Sequence, residues 1–99
     1  MELQNQIKSA LKSSRHLLND EIQCIIDKDV EEEYQMVIDE IEEALVSDSL
    51  PTQILTLENV YGFIESESQY VDIEELKSVF EEVLEEIDIV LKLIENGSK

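Results

Sequence analysis

Apolar residues return every three or four positions along most of the chain, the rhythm of helices that lie against a core. From residue 2 to about 18, Leu3, Ile7, Leu11 and Leu18 form one stripe, with Ala10 and Leu17 beside it. Asn19 and Asp20 are N-cap residue types, and Gln23 stands three positions after Asp20, as a capping box requires. Two readings are open here: a short second helix carrying Ile22, Ile25 and Ile26, or a continuation of the first. Asp29 is the expected cap of the next helix, which runs to Leu45 with Glu31, Glu32 and Glu33 in its first turn, where the helix dipole favours negative charge. Its inner stripe is Val30, Tyr34, Val37, Ile38, Ile41 and Leu45. Ser47-Asp48-Ser49-Leu50-Pro51 closes it, because Pro51 restricts the residue before it and cannot continue a helix.

A further helix starts at Thr52 or Thr56 and runs to about residue 65, with Ile54, Leu57, Tyr61 and Ile64 inward. Gly62 weakens it by about 1 kcal/mol relative to Ala. Residues 65–70 read as a polar connection. Asp72 is then the expected cap of the longest helix, which reaches about Asn96 and stops at Gly97 as a C′ glycine. Ile73, Leu76, Phe80, Val83, Ile87, Val90 and Ile94 step 3-4-3-4-3-4, the spacing of a coiled-coil seam. Val79, Leu84, Leu91 and Leu93 widen that stripe to the breadth of a bundle core. The pattern predicts an all-α fold, a compact bundle of four to five helices with a long C-terminal helix. It forms one domain over residues 1–99, a monomer rather than a coiled-coil dimer.

Charge changes this picture. The 99 residues hold 25 Asp and Glu against 7 Lys and Arg, a formal charge of −18. Hydrophobic residues make up 42% of the chain, enough to support a core and to set aside acidic disorder. The surplus of acids excludes direct nucleic-acid binding, which needs clustered Lys and Arg, and excludes docking on anionic lipid. No run of about 18 apolar residues could span a membrane, and no basic, then apolar leader opens the chain. A single cysteine, Cys24, precludes an internal disulfide. The expected location is the cytoplasm.

Catalytic chemistry has little to work with. His16 is the sole histidine, and Cys24 stands eight residues from it, about 12 Å along one continuous helix. Asp27, Asp29 and Glu31 imitate the opening of a calcium loop. The pattern fails at Glu32, where glycine is needed, and at Ile38, where a bidentate glutamate belongs. Phosphate loop, nucleophile elbow and zinc-type cysteine pair are all missing. The expectation is a protein that is not an enzyme, with no catalytic residue, no metal site and no cofactor.

The acids are not evenly spread. Between Lys28 and Lys77 lie 48 residues with 15 acids and no Lys or Arg. A merely soluble surface mixes both signs and forms i,i+4 pairs, and this segment forms none. Such a field steers a cationic protein. Tyr34, Tyr61 and Tyr70 fall in the same segment, and tyrosine supplies aromatic anchors at interfaces. Tyr61 is equally a core residue by its spacing, whereas Tyr70 sits in a polar connection. The candidate partner-binding residues are Asp29, Glu32, Glu33, Asp39, Glu40, Glu43, Asp48, Tyr61 and Tyr70.

The stretches Glu21-Ile22-Gln23-Cys24-Ile25-Ile26-Asp27, Glu33-Tyr34-Gln35-Met36-Val37-Ile38-Asp39-Glu40-Ile41 and Ala44-Leu45 resemble the MafI-type immunity proteins that accompany polymorphic secreted bacterial toxins. The resemblance is one of rhythm and covers about residues 20–66, with Gln35 and Met36 where the family has small residues. It implies a helical fold that binds the C-terminal toxin domain of a cognate effector, and it carries over no catalytic residue. Joined to the acidic field, it makes a nuclease toxin the expected partner. The rival expectations are a duplex-mimicking inhibitor of a nucleic-acid-binding protein and a helical adaptor that oligomerises through the 73–94 seam.

Overall fold

The computed structural model describes residues 2–97, which form four helices: α1 (Glu2–Ile22), α2 (Lys28–Val46), α3 (Leu50–Ser68) and α4 (Glu74–Gly97). The all-α expectation holds, with four helices and with α4, at 24 residues, the longest. α1 and α3 touch across the middle, and α2 and α4 each lean on both of them, with no close backbone approach between α2 and α4. The outcome is a flattened bundle of 43 × 25 × 16 Å. Its radius of gyration of 13.4 Å equals the roughly 13 Å of an ordinary folded chain of this length, so the charge does not swell it.

One core joins all four helices. Ile7, Leu11 and Leu18 of α1 meet Ile38 and Ile41 of α2, Leu57 and Ile64 of α3, and Phe80 and Ile87 of α4, all at most 2% exposed. The seam of α4 is thus turned inward onto its own chain from Leu76 to Ile94. The buried side chains of Ser14 and Gln53 are partnered. Ser14 donates to the Ala10 carbonyl, and Gln53 Nε2 donates to the carbonyls of Ala44 (3.3 Å) and Ser47 (2.7 Å), capping the end of α2. Gln4 Nε2 donates in turn to Gln53 Oε1, tying α1 to the same point.

Several boundaries differ from the sequence expectation, each for a local reason. α1 passes straight through Asn19 and Asp20 to Ile22, so no short second helix forms. Asp20 spends its carboxylate on His16, one turn back at 3.5 Å, rather than on a capping N–H. Ile25 rests against the core beyond the helix end, and Ile26 is 96% exposed. The cap of α2 is Asp27, whose side chain accepts from the Asp29 N–H at 2.9 Å, which leaves Asp29 in the first turn. Pro51 opens α3 instead of only closing α2. In a first turn its missing N–H costs nothing, and Ser49, not Thr52 or Thr56, caps the helix by accepting from the Thr52 N–H. α3 also continues through the expected connection to Ser68, which is buried and donates to the Glu65 carbonyl. Asp72 does not cap α4. The Ile73 carbonyl takes the Lys77 N–H there, and Ile73 is 62% exposed rather than part of the seam. Gly97 remains helical without a positive φ, so it is not a left-handed C′ cap. No helix among the described residues is long and apolar enough to cross a membrane.

Candidate acidic docking face

The inner stripe of α2 (Tyr34, Ile38, Ile41 and Ala44) is buried. With 3.6 residues per turn, that burial fixes what points outward. Asp29, Glu32, Glu33, Asp39, Glu40 and Glu43 are all exposed, and at spacings of three, four and seven they share the opposite side of the helix. The face runs for about 21 Å from Asp29 to Glu43. Asp48 extends it into the α2–α3 turn. Among the described residues the basic–acidic side-chain pairs within 4 Å are Lys92–Asp88 and His16–Asp20, the latter charged only when His16 is protonated; both lie within α1 or α4, so no such pair closes on this face.

Tyr61 and Tyr70 stand apart from it. Phe63 faces α2, and a residue two positions away on a helix points about 200° from it, so Tyr61 lies on the other flank of α3, half-buried against the core. Tyr70 is 78% exposed, at the end of the bundle where α3 passes to α4. There it borders a cleft of about 390 Å³ together with Glu21, Glu67 and Asp72. The fold therefore gathers the seven acids along one edge, sets Tyr70 at one end of that edge, and separates Tyr61 from it.

Beside the acid stripe is a groove that the periodicity did not reveal. Met36 and Val37 of α2 and Phe63 of α3 form its apolar floor, Glu33, Glu40 and Glu67 border it, and its volume is about 350 Å³. Met36 is 67% exposed although it belongs to no buried stripe. Its place in the sequence was a signal: the outward set 29-32-36-39-43 steps 3-4-3-4, and Met36 is the single apolar member.

Tyr34 holds the walls of this groove together. Its ring meets Phe63 edge-on, with centroids 5.1 Å apart at 81°, and its hydroxyl donates to Glu67 Oε1 at 3.2 Å. Burial foremost, then the negative charge of Glu67 and that hydrogen bond, push the Tyr34 hydroxyl far above its ordinary pKa. Glu21 nearby is also raised, by burial first and by Asp20 second. Both shifts reflect a region where more negative charge is resisted.

The opposite edge is of another kind. Between α1 and α4, Lys12 and His16 face Glu82 and Glu86 across a hollow of about 460 Å³, and Val79, Ile89 and Leu93 are exposed alongside. Among the described residues, no group of His, Cys, Asp and Glu is arranged to hold a metal ion. Cys24 is exposed and free in the α1–α2 turn. No family model, curated protein or solved structure matches the chain.

Proposed function

We propose that this chain is an immunity protein that binds a basic toxin domain, a nuclease, in the cytoplasm and covers its nucleic-acid site. The observation that carries this reading is the acidic face of α2: exposed carboxylates that close no ion pair among the described residues, bordering an apolar groove. A nuclease presents Lys and Arg because it must hold phosphates, and that surface is complementary to this one. The field accelerates encounter by a factor on the order of 10–10³ at low ionic strength. Met36, Phe63 and Tyr70 then supply the apolar and aromatic contacts that slow release. Inhibition is by occupancy and needs no chemistry on either side. The resemblance over residues 20–66 points the same way.

A duplex mimic would array acids along both flanks of its body. Here the other flank carries acids too, Glu82 and Glu86, but sets Lys12 and His16 against them and exposes aliphatic residues, and the apolar groove beside the α2 acids favours a single directed partner over a phosphate-like array. An adaptor built on the 73–94 seam would need that seam free, and it is spent on α1 and α3. The test starts from the reading frame immediately upstream, which is expected to encode a secreted protein with a basic C-terminal domain, and titrates that domain against the chain. Affinity is expected to fall at least about tenfold between roughly 50 and 500 mM NaCl, as screening removes the field. Glu32→Lys with Asp39→Lys is expected to slow association. Affinity that ignores salt refutes steering by this face, and absence of a complex refutes the immunity reading.

A further inference from the structure

The α2–α3 groove makes two demands on a guest. A wholly apolar guest would strip water from Glu33, Glu40 and Glu67 without replacing it, at a cost in desolvation. A compact cation would leave Met36, Val37 and Phe63 wet. An arginine or lysine answers both, with an alkyl stem for the floor and a charged head for the rim. The geometry along α2 is more specific still. Glu33 precedes Met36 by about one turn and Glu40 follows it by about one turn, so the two carboxylates stand about 10 Å apart along the axis with the thioether between them.

We infer that this groove is a docking slot for an amphipathic helix of the basic partner, one that presents Arg or Lys at positions i and i+7 and an apolar residue at i+3 or i+4. The apolar residue covers Met36 and Val37, while the two cations reach Glu33 and Glu40 from either side. Glu67 receives a head group from the α3 wall, and the ring of Phe63 gives a guanidinium a surface to stack on. The walls are already set, because Tyr34 braces Phe63 and Glu67 from behind. This slot rests on the reading of the chain as a binder of a basic protein and names the element that is recognised.

The test uses two alanine-based helical peptides of identical composition and the full chain, read by fluorescence anisotropy. In one peptide the arginines and the leucine follow the stated pattern on one face; in the other the leucine is moved to the opposite face. The patterned peptide is expected to bind at least about tenfold more tightly. Met36→Glu, at an exposed position that the fold does not need, adds a negative charge, and so separates slot from field. It is expected to weaken the patterned peptide by about tenfold while leaving the other unchanged or tighter. Equal binding of the two peptides, binding by neither, or tighter patterned binding by Met36→Glu overturns the slot. If the upstream toxin domain binds the wild type and Met36→Glu alike, the slot fails and the immunity reading stands. If the peptides behave as expected and that domain does not bind, the slot stands and the immunity reading fails.

Discussion

Tyr34 is the residue at which core and groove meet, since its ring is buried while its hydroxyl holds an acid of the rim. Removing that hydroxyl alone, in Tyr34→Phe, forfeits a hydrogen bond to a carboxylate and is expected to cost about 1–2 kcal/mol. The variant also isolates a pH effect. Unfolded tyrosine ionises near pH 10, whereas the folded hydroxyl is held well above that value. Its stabilising contribution is therefore complete below pH 10 and is lost as pH rises beyond it. Denaturant melts at successive alkaline pH values are expected to show a shallower decline for Tyr34→Phe than for the wild type. A decline of equal slope would remove Tyr34 from the account. At this scale the sequence was legible where a residue type has one habit, and less so where it has two. Tyr34 is recognisable as inward from its spacing, but its link to Glu67 spans 33 residues and leaves no local trace. Gln53 is polar and fully buried, which makes sense only once the end of α2 is seen to abut it with the carbonyls of Ala44 and Ser47.

At the scale of elements, the interiors of the helices were legible and their ends were not. An amphipathic stripe repeats many times, whereas a cap is one hydrogen bond for which neighbouring residues compete. Asp27 and Asp29 are both competent caps, and the chain uses Asp27 because its carboxylate reaches the Asp29 N–H. Pro51 is compatible with a stop and with a start, and only the Ser49–Thr52 bond tells them apart. α3 is the element most open to improvement. Gly62 lies in its exposed interior, with nothing within 4 Å of where a Cβ would stand and no positive φ. Gly62→Ala is expected to raise stability by about 0.5–1 kcal/mol, read as a higher urea midpoint at an unchanged m-value. A lower midpoint would mean that this turn of α3 is not held in helical geometry.

For the whole molecule, the formal charge of −18 sits on a body only 16 Å across its thinnest dimension. Repulsion over such distances is weakened by salt, whose Debye length falls from about 30 Å at 0.01 M to about 8 Å at 0.15 M. The melting temperature is expected to rise as NaCl increases over that range, with sodium sulfate doing the same at equal ionic strength. A melting temperature that falls with salt would mean that attractive pairs such as Lys92–Asp88 outweigh repulsion. The location of the acids was legible in the sequence, as a base-free block. Their assembly into one edge, with Tyr61 turned away, depended on how α2 and α3 are rotated, and that is set by packing. The same holds for the α4 seam, whose spacing is silent on whether it meets another chain or its own. The residues that seat α2 and those that face outward from it are two disjoint sets, one buried and one exposed. Inheritance can therefore act on them independently. Descendants of this chain can exchange Asp29, Glu32, Met36, Asp39 and Glu43, all exposed, while the buried scaffold that presents them is passed on unaltered.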